Sequence, residues 1–223
     1  MMPKPNYDKV LVIIAGVNGA GKSTAYEQDP QLVNCLPIIN PDVYAKKLAN
    51  ELGANSISDL PREEQVKINL KAGKIALKER ENFFKQGKDF GIETTATSEA
   101  TLRLIDKAHS LNYKVALIYV MLTSAVTHLN RVAQRVKMGG HIIDADDIKR
   151  RFTRAFKMFP LLLNKADVAV VYDNTQMYQT ALTKKDHSYQ LFPCNSKIEK
   201  RVRDAVEEIT SSPQIESQSL WQQ

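Results

Sequence analysis

Apolar positions along this chain fall into two alternating patterns. Short runs, mostly β-branched, at residues 10–15, 35–39, 89–92, 115–121 and 168–171 have the apolar continuity of strands buried on both faces. Between them, apolar residues recur every three or four positions over 22–29, 43–50, 63–86, 100–111, 124–137 and 145–159, which is the period of amphipathic helices. Alternation of this kind predicts an α/β fold, a five-stranded parallel sheet with helices on both faces. Several helix ends carry their own signals: Ser124 is placed to N-cap, Pro61 to open the long helix, and Gly87 and Gly139 to end helices in the left-handed conformation. After Tyr172 the pattern weakens. Residues 184–196 read as a polar loop, 198–210 as a last helix and 214–223 as a frayed tail. No repeat and no Gly-, Ser- or Pro-rich linker interrupts the chain, so one domain is expected over residues 1–223, with its core at about 9–174.

Composition narrows the class without naming a function. With 43% hydrophobic and 25% charged residues, the 223-residue chain is neither disordered nor collagen-like. Its longest apolar stretches, such as residues 115–122, are too short for a bilayer, so a membrane protein is not expected. The two cysteines, Cys35 and Cys194, are far apart, form no CxxC pair and follow no leader pattern, which points to a reducing cytoplasm. A net charge of +6 raises the question of an anionic partner.

The sharpest signal is Gly16-Val17-Asn18-Gly19-Ala20-Gly21-Lys22-Ser23, a match to the P-loop pattern G-x-x-x-x-G-K-[ST] set between a strand and a helix. That order of elements is what the chemistry needs. The glycines let successive backbone N–H groups curl around a phosphate, and the helix N-terminus adds the positive end of its dipole. Residues 16 and 18–24 are therefore the expected ATP-binding set (Gly16, Asn18, Gly19, Ala20, Gly21, Lys22, Ser23 and Thr24). Lys22 is placed to reach the β- and γ-phosphates and the Ser23 hydroxyl to bind Mg²⁺.

What happens to the γ-phosphate depends on the acids. The strand at 115–121 runs into Leu122-Thr123 with no carboxylate, so the usual acidic partner of a P-loop is missing there, and no base-reading motif of a GTPase is present. Two acids instead follow other predicted strands: Asp42 in Asn40-Pro41-Asp42, and Glu93 in Glu93-Thr94-Thr95. Ligands of open α/β sheets bind at the carboxyl ends of the strands, so Asp42, Glu93 and Lys22 should converge there. Phosphoryl transfer to a hydroxyl is the chemistry this suggests, one carboxylate taking the proton and the other positioning substrate or metal. Blander roles stand beside these: Asp42 as the N-cap of the following helix, Glu93 as a solvated loop acid.

A third constellation is basic. Arg131 and Arg135 share a helical face, Gly139-Gly140-His141 makes a hinge, and Lys149, Arg150, Arg151 and Arg154 follow. Residues 131–157 hold eight basic and three acidic side chains, so this one segment carries five of the six excess positive charges. Guanidinium groups closing over a transferring phosphoryl stabilise its charge and exclude water, so the segment reads as a kinase lid. The alternative is a nucleotide-binding regulatory or nucleic-acid-associated module without kinase activity, its arginines tracking a phosphate backbone. Phe152, Phe156 and Phe159 lie in the same segment at a spacing that faces a core rather than stacking bases, which disfavours nucleic acid. His141 stands either as a turn residue or as a substrate contact.

These motifs, in this order, resemble the zeta toxins, P-loop kinases of toxin–antitoxin systems that phosphorylate the 3′-hydroxyl of UDP-N-acetylglucosamine. The resemblance runs over about residues 9–174. Its most specific block is Arg131-Val132-Ala133-Gln134-Arg135-Val136-Lys137-Met138-Gly139-Gly140-His141 followed by Ile148-Lys149-Arg150-Arg151-Phe152. It implies a small-molecule kinase-like P-loop NTPase fold, ATP and Mg²⁺ as cofactors, UDP-N-acetylglucosamine as the first acceptor to consider and an antitoxin as a possible protein partner. It further implies Lys22 on the phosphates, Ser23 on Mg²⁺ and Asp42 as the base. Asn40, Glu93, Thr95, Arg131 and His141 would contact the substrate, and Arg135 with Arg150 or Arg151 would neutralise the phosphoryl in flight. This chain resembles the compact members, with little length to spare for a long sugar-nucleotide pocket.

Overall fold

The computed structural model describes residues 9–28, 36–137 and 143–211. In chain order its elements are β1 (Val10–Ala15), α1 (Lys22–Gln28), β2 (Ile38–Ile39), α2 (Pro41–Glu51), a 3₁₀ turn (Ile57–Asp59), α3 (Arg62–Gln86) and β3 (Phe90–Thr94). There follow α4 (Glu99–Ser110), β4 (Lys114–Met121), α5 (Ala125–Lys137), α6 (Ala145–Lys165), β5 (Val168–Asp173), β6 (Gln179–Lys185), β7 (Ser188–Leu191) and α7 (Ser196–Ser211). The strands form one sheet in the order β2-β3-β1-β4-β5-β6-β7. The first five are parallel, and β6 and β7 pair antiparallel at the edge.

Strand β1 lies between β3 and β4, with Ile13 opposite Ile92 on one side and Leu117 on the other. Its side chains alternate between two buried faces. Leu11, Ile13 and Ala15 join Phe90, Val115, Leu117 and Tyr119 in the larger core, which α3, α4, α6 and α7 cover; Val12 and Ile14 join Ala116, Ile118 and Val120 on the face under α1. Burial on both faces explains the unbroken apolar runs. It also brings the carboxyl ends of β1, β3 and β4 to one rim.

Five predicted strands become seven. Residues 184–196, expected as a polar loop, contain the end of β6 and all of β7. Only Ala181, Leu182 and Lys184 of β6 are buried, and β7 has no fully buried residue, so the period-2 pattern that marks a half-buried strand is nearly absent. Helix α6 also runs to Lys165 instead of stopping near Phe159, although Pro160 sits inside it. Proline removes one backbone bond, but Leu162 and Leu163 beyond it are fully buried. The end of that helix is held by the buried Lys184, whose ammonium donates to the carbonyls of Leu163 (2.7 Å), Asn164 (2.7 Å) and Ala166 (2.5 Å). The lysine interrupts the alternation of β6 because it is consumed in capping α6.

Other predicted ends are found where expected. Ser124 Oγ accepts the N–H of Thr127 at 3.2 Å, Pro61 directly precedes α3, and Gly87 closes α3 with φ of 61°. The hinge at 139–141 and Cys35 lie outside the described residues.

Candidate active site

The loop from Gly16 to Lys22 joins β1 to α1 and is held by neighbours on three sides. Gly16 N–H donates to Thr94 O (3.2 Å), Ala20 N–H to Val17 O (2.9 Å) and Thr24 N–H to Gly21 O (3.0 Å). At Gly19, φ is +80° and a Cβ would stand 2.9 Å from His128 O, so α5 can lie this close only against glycine. At Gly21, φ is +96° and a Cβ would overlap the Asn174 side-chain amide, which donates to Ala20 O at 2.8 Å. The glycines thus serve close approach as well as the turn.

Lys22 is buried and spans the loop. Its Nζ donates to Gly16 O at 2.9 Å and lies 3.5 Å from Glu93 Oε1. Burial pulls its pKa down, the charge and hydrogen bond of Glu93 oppose this, Asp42 adds to the opposition, and Arg135 works against it. Ser23 is exposed at the first turn of α1.

Glu93 is not a solvated loop acid. It belongs to β3, its side chain is mostly buried, and Oε2 accepts a 2.9 Å bond from Asn40 Nδ2. Asn40 has a second task, because its Oδ1 accepts the N–H of Asp42 at 2.9 Å and so caps α2. The N-cap role considered for Asp42 therefore belongs to Asn40. Asp42 lies in the first turn of the helix with its exposed carboxylate on the wall of a cleft of about 620 Å³. Asn18 of the P-loop lies on the same cleft. Thr95 is half-buried just after β3, with its hydroxyl 3.3 Å from that of Thr97.

The arginines divide. Arg151 Nη1 donates to Asn18 Oδ1 at 2.7 Å and lines the cleft, whereas the more exposed Arg150 reaches only the cleft-lining Asp147, at 2.6 Å, which Arg151 also approaches at 3.9 Å. Arg131 does not open toward the cleft; its Nη2 donates to Asn174 O (2.6 Å) and Thr175 O (3.3 Å), tying α5 to the loop after β5. Arg135 is exposed, yet close enough for its charge to act on Lys22. His141 lies outside the described residues. Phe152 packs edge-on against His128 and, with Phe156, accepts Arg201 over its ring, so two of the three phenylalanines pack under α7 while Phe159 enters the main core.

Two parts of the site escaped sequence reasoning. Ser58, Arg62, Gln65 and Asn69 form the wall opposite the P-loop, carried there by the 3₁₀ turn and the first turns of α3. The turn's capping box, Ser56 with Asp59, was the one local signal available. The other is His128, only 2% exposed, whose Nδ1–H donates to Asn18 O at 2.8 Å. Asn18 is thus gripped at its carbonyl by His128 and at its side chain by Arg151. Burial lowers the His128 pKa to about 4, against the bond to Asn18, so the ring is neutral at pH 7. Between pH 6.5 and about 4 the unfolded chain takes up a proton that the folded chain refuses, so stability falls as pH falls, by up to about 3 kcal/mol. Urea midpoints at pH 7 and 4.5 should differ less in His128→Gln than in the parent protein.

A family model for the AAA domain matches residues 11–159, more than half of the chain. The chain belongs to the AAA domain family. An uncharacterized protein of Haemophilus influenzae is 26% identical over 143 residues, 63% of this chain and 91% of that one. Among solved structures, this AAA domain is similar to a chain of the PezAT chromosomal toxin–antitoxin system of Streptococcus pneumoniae, with a TM-score of 0.60 and 15% identity over 94% of this chain and 88% of that chain. It is also similar to AvrRxo1-ORF1:-ORF2 with ATP, with a TM-score of 0.61 and 13% identity over 95% of this chain and 66% of that one. At these identities the likeness is one of fold, a kinase-like P-loop α/β architecture.

Proposed function

We propose that this protein is an ATP-dependent phosphotransferase that moves the γ-phosphate of ATP to a hydroxyl of a small molecule, with Asp42 as the general base. The observation that carries this reading is the division of labour at the start of α2. Because Asn40 caps the helix and holds Glu93, the Asp42 carboxylate is left on the cleft wall, across from the P-loop, for an acceptor hydroxyl.

The other residues fit around that role. Backbone N–H groups of the loop and Lys22 bind the phosphates, and Asn18, Arg151 and Arg135 stand on the side from which charge on the moving phosphoryl is neutralised. Mg²⁺ fits the donor set, since the Ser23 hydroxyl and the Glu93 carboxylate are hard oxygen ligands beside Lys22. Bound there, Mg²⁺ would supply charge neutralisation. ATP as donor is supported by the P-loop and by the ATP in the AvrRxo1 complex. The inward ties of Arg131 and Arg151 to Asn174 and Asn18 favour a kinase over a nucleic-acid module, which needs those charges on an open face.

UDP-N-acetylglucosamine is the first acceptor to test, on the resemblance of the motifs to zeta toxins. An antitoxin-type protein is a further partner suggested by the two-protein systems among the fold neighbours. The deciding experiment incubates the protein with ATP and Mg²⁺ and a panel of hydroxyl compounds led by that sugar nucleotide, then looks by mass spectrometry for a gain of one phosphate. Transfer to a hydroxyl supports the reading; ATP hydrolysis with no phosphorylated acceptor across the panel overturns it.

A further inference from the structure

A second, smaller cavity of about 290 Å³ lies behind Glu93, between α3, the end of β3 and the start of α4. Its walls are mostly apolar, with Ile39, Ala76 and Leu104 among them, and its polar lining includes Arg80, Glu93 and Thr101. Arg80 is out of place in such a wall. Its Nε is buried and has no hydrogen-bond partner, and among the described residues no carboxylate lies within ion-pairing distance of its guanidinium. Burial lowers its pKa, with only the charge of Glu81 opposing, and Glu81 is bonded to Lys107 at 2.5 Å. A half-buried cation with an unmet donor is costly unless something else completes it. Two turns before Arg80, Gly73 lines the same wall with open space around it, since an added Cβ would meet nothing within 4 Å, at a position where alanine would favour the helix.

Resting on the kinase reading above, we propose that the phosphate acceptor is anionic and that Arg80 binds its carboxylate or phosphate oxygens in this cavity. The position serves the reaction. Glu93 lines the same cavity and stands 3.5 Å from Lys22 Nζ, so an acceptor anchored at Arg80 extends its hydroxyl toward the P-loop rim, where Asp42 follows Asn40 and Pro41. Guanidinium suits this task because its fork matches either oxyanion, and the apolar walls strengthen the pairing by excluding water.

The test uses the full chain and two variants, Arg80→Met, which keeps the stem and removes the charge, and Gly73→Leu, which adds bulk to the cavity wall while favouring the helix. The probes are D-glycerate, glycerol 3-phosphate, UDP-N-acetylglucosamine and, as the neutral control, glycerol. Binding is read as a rise in melting temperature without ATP, and transfer by mass spectrometry with ATP and Mg²⁺. The expected result is that at least one anionic probe raises the melting temperature and glycerol does not, that both variants abolish the rise, and that KM for that probe increases about 10- to 100-fold with ATP affinity unchanged. Which probe responds separates a carboxylate, a monoester phosphate and a sugar-nucleotide diphosphate as the source of the oxyanion. Binding of anions that is indifferent to both variants, or no preference over glycerol, overturns the proposal while any observed transfer leaves the kinase reading intact. Anion binding lost in both variants with no transfer to any probe would keep the site and remove the kinase reading. If Arg80→Met does not fold, Gly73→Leu decides by the same criteria.

Discussion

Asp42→Asn is expected to lower kcat for phosphoryl transfer about 10²- to 10⁴-fold, the range for loss of a positioned general base, with nucleotide affinity unchanged. The variant isolates chemistry from structure for a reason visible in the fold. The cap of α2 is made by the Asn40 side chain to the Asp42 backbone N–H, so the substitution leaves that bond in place. Besides its charge support for Lys22, what is lost is the interaction of one charge with the helix N-terminus, about 0.5 kcal/mol for an exposed residue. Nucleotide binding and melting temperature should therefore stay near parent values while product formation collapses. Retained transfer in Asp42→Asn would remove Asp42 from the mechanism. Asn40→Ala is the contrasting variant, because it strips the cap from α2 and a donor from Glu93 together and should damage both stability and turnover.

Lys184→Met is expected to destabilise the fold by about 3 kcal/mol, without touching the site, because it leaves buried carbonyls with no donor. For a chain of this size that corresponds to a drop in melting temperature of about 6–12 °C. Lys184 is only 5% exposed, and its ammonium meets the carbonyls of Leu163, Asn164 and Ala166 at the end of α6. Methionine retains most of the stem's volume, so the difference reports the charge-assisted bonds rather than a cavity. Thermal unfolding measures the loss, and below the new transition the variant should turn over like the parent. A change under about 1 kcal/mol would mean that water replaces the ammonium at those carbonyls.

The two variants mark how far the site and the fold were legible in the chain. Asp42 was named from its place after a predicted strand, yet its freedom to act could not be, because local spacing allows either Asn40 or Asp42 to cap α2. The choice depends on Glu93, 53 residues away, which accepts from the other end of the Asn40 amide. Lys184 was assigned to a polar loop for a related reason. A buried cation in a strand violates the alternation by which strands are recognised, and its justification lies in a helix that ends about 20 residues earlier. Arg150 and Arg151 were equivalent in sequence, adjacent and identical in type, and only the packing of α6 turns Arg151, and not Arg150, to Asn18.

The sequence by itself determined the parallel core, the P-loop and the side of the sheet on which the acids converge. Each is written in local periodicity or in a contiguous motif, and β1 and β4 keep unbroken apolar runs because they are buried on both faces. Tertiary structure alone decided the antiparallel edge of β6 and β7, the wall formed by Arg62, Gln65 and Asn69, the grip of His128 on the P-loop and the place of Arg80 behind Glu93, unpaired among the described residues. These rest on polar side chains meeting partners far along the chain. A polar residue's burial is set by what it bonds to, and no pattern in its own neighbourhood records that partner.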